Sequence, residues 1–380
     1  MDVVAEQRPK IQSRPASEVA ISVCVLAHDA AGRIRACLDA VRAQSLPPAE
    51  VVVVDNASAD ETAAIVRSEY PDVRLERSDR NTGCSGGRNL QIRRARHRYV
   101  MIVDDDALLE QTCLERLAEA VRRRLPEAAV WAPRVCYEQN RNIVQYDGGD
   151  IHYLGEVVAI NAERPLDGDE TRTRGQVVDR AGAHANRLPC EPFTTTLQGG
   201  VAYLIDRHAA LAVGGYDEDF FFGRSDGELS LRLTLTGHRI YTVPQAIVYH
   251  HFTPRGLNNV QNQVRNRWML ILVNYRWRTL LVLAPALVVY ELLLLAFLTA
   301  KRCPGRYFAG NREVLRQLRP ILRKRRALQA MRRRRDRDVL SGGFMNMRAD
   351  VAGSAAVRAA FRGVNRFFSG YWACVRRLVA

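Results

Sequence analysis

Residues 21–55 read ISVCVLAHDAAGRIRACLDAVRAQSLPPAEVVVVD, and this stretch decides the fold. Two runs rich in β-branched residues, ISVCVLA (21–27) and VVVVD (51–55), flank a segment with a helical pattern of apolar residues. Short apolar runs that alternate with helical segments are typical of parallel sheets, because each crossover between parallel strands contains a helix. The stretch therefore predicts a β-α-β unit at the start of a parallel sheet.

The same alternation continues outward from this unit. ADETAAIVRSEY and SGGRNLQIRRARH have helical patterns, whereas DVRLER and RYVMIVDDD (98–106) read as strands. A helix is predicted from Leu108 to Leu125, followed by the strand AAVWAPRV. Residues 137–195 are rich in Gly, Asp, Asn and Arg and predict a long insertion with short strands at most. The pattern as a whole predicts an α/β fold with a mainly parallel central sheet.

The net charge of +15 is concentrated at the end of the chain. Residues 301–380 hold 21 basic and 4 acidic side chains, which leaves 35 basic and 37 acidic in residues 1–300. This distribution disfavours a wholly basic nucleic-acid-binding fold and predicts a near-neutral globular body with a cationic extension. The eight cysteines form no CxxC pair, so a disulfide framework and a zinc site are poorly supported and a reducing cytosol fits best.

Polar residues follow several predicted strands. In α/β sheets the ligand site lies beyond the carboxyl ends of the strands, and those positions here hold His28, Asp55 and the run Asp104, Asp105 and Asp106. Three consecutive carboxylates repel one another unless a cation or sugar hydroxyls engage them, and a hard metal ion is the natural partner. The structural alternative is that Asp105 or Asp106 caps a helix that begins directly after them.

A glycine cluster, NTGCSGGRN (81–89), precedes a predicted helix, where backbone amides can meet a phosphate or a base. The spacing of its glycines differs from the dinucleotide-binding fingerprint, and the cluster follows the third strand instead of the first. A GxxxxGK[ST] loop is absent from the sequence, which disfavours a P-loop NTPase.

A second carboxylate site is predicted around Asp226, in GGYDEDFFFGRSDGELS. A metal-type triad paired with a remote carboxylate suits a displacement in which a metal stabilises a diphosphate leaving group and the carboxylate deprotonates the nucleophile. Gly199 and Gly200 would let the backbone approach a ligand closely. His250 and His251 follow the strand AIVY and are candidates for the same metal. The structural alternatives are a helix cap for Asp226 and a packing role for the histidines.

These motifs together resemble family 2 of the inverting, nucleotide-diphospho-sugar-dependent glycosyltransferases, which have the GT-A fold. The motifs are SVCVLAHDAAGRIRACLDAV, VVVVDNASADET, NTGCSGGRN, VDDD and GGYDEDFFFGRSDGELSLRLTLTGHRI with the trailing VYHH. They run in the family's order over residues 21 to about 252. The tail also resembles bacterial members that extend lipid-linked or surface polysaccharides, rhamnosyltransferases among them.

The resemblance implies roles for individual residues. Asp226 would be the catalytic base, and Asp106 would ligate Mg²⁺ or Mn²⁺ with His250 as a metal or diphosphate contact. Asp55 would contact the nucleotide base, and Arg88 would lie beside it. Asp104 would bind the ribose or the donor. The complete set of predicted donor-binding residues is His28, Asp55, Asn81, Arg88, Asp104, Asp105, Gly199 and Gly200.

The chain departs from the family at one position. Ser225 precedes Asp226 where the family usually has Glu. The predicted base is therefore retained, but a serine hydroxyl replaces the carboxylate beside it. Glu228 is a fallback base, and His251 is a fallback metal contact.

The 22 residues between Arg278 and Lys301 are apolar except for Glu291. About 20 apolar residues suffice to span a bilayer. Against a span, Pro285 interrupts the helical hydrogen bonds, Glu291 would lie in hydrocarbon, and cations flank both ends. Three arrangements therefore stay open: a membrane-inserted hairpin, a true span and a buried soluble helix.

The segment after the apolar stretch has two features that suit a membrane surface. Residues 301–340 hold 15 basic and 3 acidic side chains, and an anionic membrane attracts such segments. In residues 346–380, apolar side chains recur at spacings of 4 and 3 from Val357 to Leu378 and predict an amphipathic helix. That helix can lie on a bilayer, pair with another helix within or between chains, or pack on the body. Nucleic-acid binding is disfavoured because aromatic residues are few.

The sequence thus predicts a membrane-associated inverting glycosyltransferase that transfers a hexosyl or deoxyhexosyl group to a glycan or lipid-linked acceptor at the cytoplasmic face of a bacterial inner membrane. The alternatives are a sugar nucleotidyltransferase and a non-catalytic scaffold that binds nucleic acid or membrane through the Arg-rich tail. The predicted segments are a flexible N-terminus without a signal peptide (1–20), a GT-A catalytic domain (21–260), an apolar membrane-associated segment (261–305), an Arg-rich segment (306–345) and an amphipathic helix (346–380).

Overall fold

A computed structural model describes residues 19–166, 188–254, 256–345 and 355–380, so most of the predicted flexible N-terminus and the start of the last segment lie outside the described residues. The strands are β1 (Ile21–Ala27), β2 (Glu50–Asp55), β3 (Arg74–Arg77), β4 (Tyr99–Asp104), β5 (Ala107–Leu109), β6 (Ala128–Tyr137), β7 (Asn140–Tyr146), β8 (Gly149–His152), β9 (Val157–Ala159), β10 (Phe193–Thr195), β11 (Ala202–Asp206), β12 (Arg239–His250) and β13 (Leu340–Ser341).

The helices flank this set of strands and continue beyond it. They are α1 (Ile34–Arg42), α2 (Thr62–Glu69), α3 (Gly83–Arg94), α4 (Cys113–Arg122), α5 (Arg207–Ala212), α6 (Ser225–Leu235), α7 (Val260–Asn274), α8 (Trp277–Ala300), α9 (Pro304–Arg316), α10 (Leu318–Met331) and α11 (Ala355–Val375).

A mixed, mainly parallel sheet forms the centre of the molecule. Its strand order is β10-β12-β6-β11-β4-β1-β2-β3, with β5 beside β12 and β7 beside β6. Strands β4, β1, β2 and β3 are parallel to one another, as are β6 and β12, whereas β11 runs antiparallel between β4 and β6. The predicted α/β architecture is confirmed.

Helices cover both faces of the sheet. Ile34 of α1, Val66 of α2 and Leu117 of α4 pack in one core, and Ile92 of α3 and Leu233 of α6 pack in the core on the opposite face. Strand β1 is buried along its whole length, which explains its continuous run of apolar residues.

The predicted helix from Leu108 to Leu125 begins later than expected. Residues Ala107–Leu109 form β5, which pairs antiparallel with β12, and the helix runs from Cys113 to Arg122. Neither Asp105 nor Asp106 therefore caps a helix that begins directly after the aspartates, and that structural alternative is wrong.

A hydrophobic core separate from those on the two faces of the sheet, which we call the second core, joins the insertion to the C-terminal helices. Tyr153 and Leu154 of the insertion pack in the same cluster as Leu270 of α7, Leu328 of α10 and Phe368 of α11. The Tyr153 hydroxyl donates a hydrogen bond to the Phe368 carbonyl at 2.9 Å. The part of the insertion that the structure describes contains only short strands apart from β7, as predicted, and residues 167–187 lie outside it.

The apolar segment forms one continuous helix, α8, which contains Pro285. The predicted hairpin within this segment is therefore not found. By length and composition, α8 is the one helix among the described residues that is apolar enough to cross a membrane, yet only 17% of its most apolar window is buried in the protein. It is not a buried soluble helix either.

The C-terminal extension is folded against the body. Lys324 of α10 bonds Asp217 and Asp219, and Arg325 NH1 donates to the Leu272 carbonyl at 2.6 Å. The apolar side of α11 packs in the second core, where Trp372 stacks on Tyr153 with ring centroids 5.0 Å apart. Of the three roles open for this amphipathic helix, packing on the body is the one that the structure shows.

Candidate active site

The carboxyl ends of three central strands meet at one edge of the sheet. Ala27 at the end of β1 pairs with Asp55 at the end of β2, and Leu26 pairs with Asp104 at the end of β4. The Asp104 amide donates to the Val201 carbonyl at 2.9 Å, which brings the loop before β11 to the same edge. The strand-end residues predicted from the sequence therefore lie close together.

One buried guanidinium joins the two carboxylate sites. Arg88 of α3 donates from NH1 to Asp226 Oδ1 at 2.6 Å and from NH2 to both oxygens of Asp104 at 2.9 and 3.0 Å. It also donates to the Gly200 carbonyl. Its side chain is only 3% exposed. Arg88 therefore joins Asp104 and Asp226, and the place beside the nucleotide base that the resemblance implied stays a prediction.

The charges of this cluster depend on one another. Burial lowers the pKa of Arg88, but Asp104 and Asp226 outweigh burial and raise it above its ordinary value. Burial also raises the pKa of Asp104, and Asp106 adds to this rise while Arg88 opposes it. The guanidinium stays charged and holds both carboxylates by charge-assisted hydrogen bonds.

Asp226 lies in the first turn of α6 and has one oxygen fixed. The Tyr216 hydroxyl donates to Oδ1 at 3.2 Å, beside the bond from Arg88. A Cβ atom placed on Gly200 would lie 2.7 Å from Oδ2. The N-cap of the helix is Arg224, and Asp226 does not cap it, so the cap alternative is wrong. A carboxylate in the first turn is also favoured by the helix dipole.

The two predicted glycines shape the wall beside Asp226. Gly199 has φ of +81°, and a Cβ there would lie 2.4 Å from the Tyr146 ring. Both the backbone conformation and the contact require glycine at this position. The glycines therefore bring the backbone close to Tyr146 and Asp226, and the predicted close approach to a ligand stays a prediction.

Asp106 and His250 form the candidate metal pair. His250 Nε2 lies 3.6 Å from Asp106 Oδ2, and His250 Nδ1 lies 2.7 Å from Gln145 Oε1. Because the amide oxygen can only accept, Nδ1 carries the proton and Nε2 presents a lone pair toward Asp106. The described residues contain no group of three or more His, Cys, Asp or Glu arranged for a metal. The pair nevertheless fits a divalent ion that takes its remaining ligands from donor phosphates and water.

The two fallback residues lie outside this pair and outside the Arg88 cluster. Glu228 is buried and accepts from Arg232 Nε at 3.0 Å and from Arg232 NH2 at 2.5 Å, within α6. His251 Nδ1 lies 2.8 Å from Glu138 Oε2 on the surface. Their side chains are thus committed to other partners.

His28 and Asn81 form a polar rim above the ends of β1 and β2. His28 Nε2 lies 2.9 Å from Asn81 Nδ2, and Asn81 Oδ1 accepts from Asn56 Nδ2 at 3.1 Å. His28 is exposed, so this predicted donor-binding residue is accessible to a ligand.

Asp55 and Asp105 are buried and bond to the loops that follow the strands. Asp55 is fully buried, its Oδ1 accepts from the Ser58 amide at 2.8 Å, and Arg77 Nε lies 3.1 Å from its Oδ2. Asp105 accepts from Arg33 NH2 at 2.9 Å and from the His28 amide at 3.1 Å. Both carboxylates are thus held in place by loop and side-chain partners, and their predicted contact with the donor stays a prediction.

The first amides of α3 are occupied by protein acceptors. The Gly83 amide donates to Asn81 Oδ1 at 2.8 Å, and the Cys84 amide donates to the Phe221 carbonyl at 2.9 Å. A Cβ on Gly83 would overlap that same carbonyl. The glycine cluster therefore lets the loop before α6 approach α3, and a phosphate site at this helix start is not supported.

The sequence reasoning missed two groups that hold Asp226 in place. One is Tyr216, which is buried and whose only signal in the sequence was its place inside the motif GGYDEDF. The other is Arg224, which has a left-handed φ of 61° and donates from NH1 to the Gly155 carbonyl at 2.6 Å. Its NH2 donates to both oxygens of Glu156 at 2.9 and 2.8 Å, and the Tyr290 hydroxyl of α8 donates to Glu156 at 2.7 Å. We call Arg224, Glu156 and Tyr290 the α8 tie.

Comparison with known proteins agrees with the sequence resemblance. Residues 22–174 match the family model described as Glycosyl transferase family 2. The succinoglycan biosynthesis protein ExoO of Rhizobium meliloti (strain 1021) is 33% identical over 137 residues, which cover 36% of this chain and 37% of that protein. Chondroitin synthase of Escherichia coli is 29% identical over 141 residues, covering 36% of this chain and 20% of that protein. The chain thus spans well under half of the length of these relatives.

A solved structure of GalNAc-T7 with UDP, GalNAc and Mn²⁺ shares the fold. Its TM-score is 0.52 at 17% identity, and the match covers 68% of this chain and 48% of that chain. The central sheet with its flanking helices is therefore a GT-A fold, and the predicted fold class is confirmed.

Proposed function

We propose that the chain, whose residues 22–174 match the family model described as Glycosyl transferase family 2, transfers a sugar from a nucleotide-diphospho-sugar to a hydroxyl of a glycan or lipid-linked acceptor, with inversion. The observation that carries this proposal is the Arg88 bridge, which holds Asp104 and Asp226 on two sides of one guanidinium at the ligand edge of the sheet. A donor-binding carboxylate and a catalytic base need such a fixed separation.

Asp226 is the proposed base. Arg88 and Tyr216 hold Oδ1, so the side chain presents Oδ2 on the side of Gly200 in one orientation. An acceptor hydroxyl that binds there gives its proton to Oδ2 while its oxygen attacks the anomeric carbon of the donor sugar. The bond from that carbon to the diphosphate oxygen breaks, and the nucleoside diphosphate leaves with the electron pair.

Asp106 and His250 are the proposed metal ligands. A bound Mg²⁺ or Mn²⁺ supplies positive charge near the departing diphosphate. Gln145 keeps the His250 ring in the tautomer that can coordinate, and the β5–β12 pairing places His250 opposite Ala107, directly after Asp106. The backbone pairing therefore brings the two residues together, and the hydrogen bond to Gln145 also orients the His250 ring.

The donor is proposed to occupy the edge between the His28–Asn81 rim and Asp104. We propose a hexosyl or deoxyhexosyl group, rhamnosyl among the candidates, and a role in the assembly of a cell-surface polysaccharide. The proposed location is the cytoplasmic face of a bacterial inner membrane, where a lipid-linked acceptor would be within reach of the site.

Purified full-length chain, incubated with UDP-, GDP- and dTDP-sugars, tests this proposal. We expect release of nucleoside diphosphate that requires both a divalent metal and an acceptor. Asp226→Asn keeps the shape of the side chain but cannot take a proton, and we expect it to reduce turnover by ~10³-fold or more.

Asp219→Asn is the matched control, because it makes the same chemical change in the loop before α6. Asp219 bonds Lys324 at the surface, away from the Arg88 bridge, and Lys324 keeps its second partner, Asp217. We expect this variant to retain activity. Full activity of Asp226→Asn would refute the assignment of the base. Loss of activity in the control would show that any such change in this loop disturbs the site, so that the loss in Asp226→Asn would not identify a base.

A further inference from the structure

Helix α8 carries an uncharged apolar stripe on its outer side. Leu281, Val288 and Leu292 are 76, 59 and 62% exposed, and Pro285 and Ala296 are exposed between and beyond them. These positions recur every three or four residues, so they share one face of the helix. We call these five residues the α8 stripe.

The opposite side of α8 is fastened to the protein over most of its length. Glu291 pairs with the buried Arg267, and Tyr290 donates to Glu156 at 2.7 Å. The Tyr371 hydroxyl of α11 donates to the Val282 carbonyl at 2.6 Å, and Leu298 is buried in a cluster with α7. A helix that is bonded to the folded body from residue 282 to residue 298 cannot cross a bilayer without taking that body with it.

Both ends of the stripe have the side chains that prefer a membrane interface. Trp277 is 56% exposed and lies on the same face near the helix start, with the Arg325 guanidinium 3.9 Å from its ring centroid. Arg278 is exposed beside it, and Lys301 and Arg302 are exposed after the last turn. Tryptophan and arginine at the edges of an apolar face are typical of helices that lie in the interface plane.

The adjoining helices favour lipid over a second copy of this chain. Most basic side chains in the described part of residues 301–380 are exposed, and along α9 and the start of α10 the exposed Phe308 and Leu315 alternate with the exposed Arg312 and Arg319. Two copies meeting through this side would bring like charges together, whereas an anionic bilayer complements both the apolar stripe and the cations.

We propose that α8 lies in the plane of an anionic bilayer with its stripe immersed, and that it does not cross the membrane. This inference rests on the location proposed above and adds the geometry of attachment. It is independent of the sugar-transfer chemistry, because the stripe faces away from the tie to the active site.

Flotation of the full-length chain with vesicles tests the surface. We expect binding to vesicles of phosphatidylcholine with phosphatidylglycerol and at least ~10-fold weaker binding to phosphatidylcholine alone. Val288→Glu combined with Leu292→Glu should weaken binding by roughly 100-fold, because two immersed side chains become charged. Leu211→Glu is the matched control, since Leu211 is an exposed leucine on α5 of the catalytic body and should not alter binding.

Transfer to a soluble acceptor is measured for the same variants. We expect both variants to keep this activity. Loss of vesicle binding with retained transfer in the double variant supports the proposed membrane-binding surface. Absence of transfer in the unaltered chain contradicts only the proposed function. Equal vesicle binding by the double variant and the unaltered chain would overturn the surface proposal.

Spin labels measure the geometry of attachment. In a background in which the exposed Cys190 and Cys374 are replaced by serine, labels are placed singly at residues 281, 288, 292 and 296. An in-plane helix gives similar immersion depths at all four. A depth that peaks in the middle of the helix would overturn the proposal in favour of a span, and labels buried in a dimer without lipid would overturn it in favour of a second copy.

Discussion

At the scale of single residues, the most informative side chain is Arg88. Its charge and its place after the glycine cluster are visible in the sequence, and they indicate a role near the donor. That one guanidinium bonds two carboxylates from distant parts of the chain depends on how α3 and α6 pack on the same face of the sheet. No local pattern records such a packing, so the residue was predicted and its role was not.

Gly200→Ala tests how closely the site is built around Asp226. Gly200 does not have a positive φ, so alanine fits the backbone, but its Cβ would lie 2.7 Å from Asp226 Oδ2. The carboxylate must shift, and a displacement near 1 Å costs about 100-fold in turnover. We expect kcat to fall by ~10- to 100-fold in steady-state assays, with little change in thermal unfolding.

Gly32→Ala is the control for this substitution, because a Cβ on Gly32 meets nothing within 4 Å. It should leave kcat unchanged. Normal turnover of Gly200→Ala would mean that Oδ2 is not the atom that receives the proton.

At the scale of elements, the sequence predicted the buried strands well and misassigned elements that depend on tertiary pairing. Strands β1, β2 and β4 are continuous apolar runs, and burial on both faces demands such runs. The three residues of β5 have no strand pattern of their own, and they form a strand because β12 extends past its pairing with β10 and pairs with them along the same edge. Propensity over three residues is too weak to oppose that pairing.

The apolar segment shows the same limit. Pro285 predicted a break, but the helix continues through it, and the proline is exposed on the outer side of α8. The sequence suggested that Glu291 would place a costly charge in hydrocarbon. In the structure Glu291 pairs with Arg267 on the side of the helix that faces the protein. The sequence shows that a charge is present but not which side of a helix meets the protein.

The α8 tie predicts an effect on turnover from outside the site. Although burial opposes it, Arg224 and Arg267 lower the pKa of Glu156 below its ordinary value, so its carboxylate is charged and holds Arg224. Glu156→Gln removes that charge, and the start of α6 should lose its fixed position. We expect kcat to fall by about 10-fold while the donor KM changes less, because ground-state donor contacts lie elsewhere.

Tyr290→Phe is the milder companion, since it removes one hydrogen bond and keeps the ion pair between Arg224 and Glu156. Its effect on kcat should be smaller than that of Glu156→Gln. If Glu156→Gln lowers thermal stability but leaves kcat unchanged, the tie is structural and does not position Asp226.

At the scale of the whole molecule, the excess positive charge belongs to a folded part of the protein. Helices α9, α10 and α11 pack on the insertion and on α7 and α8, so they complete the second core. Deleting residues 301–380 would expose that core, and neutralising exposed arginines is the cleaner way to examine their attraction to lipid. The sequence showed where in the chain this charge lies, but it did not predict that the charged helices pack on the body.

The second core also predicts how stability depends on pH. Burial lowers the pKa of His152 from 6.5 to about 3, and Glu156 only partly opposes this shift. Because the unfolded chain binds the proton first, the free energy of unfolding should fall as the pH decreases below about 6.5, by up to ~1.4 kcal/mol per pH unit from this residue. Chemical denaturation at several pH values between 7.5 and 5, each about one unit apart, measures the slope.

His152→Asn isolates this contribution. The asparagine oxygen can accept the Leu154 amide in place of Nδ1, to which that amide donates at 3.2 Å. The variant should be less stable than the unaltered chain at pH 7.5 and should lose stability less steeply toward acid. Parallel slopes for the two chains would show that other groups dominate the acid response.

The two sides of α8 have a consequence for changes in chain length. One side bonds Glu156 and Arg267, the other carries the α8 stripe, and the helical period fixes the angle between them. Inserting one residue between Pro285 and Tyr290 would rotate the following turns by about 100°, which would take Tyr290 and Glu291 from their partners and turn polar groups outward. Insertions and deletions should therefore be tolerated at the exposed junction around residues 301–302 but rejected within the helix.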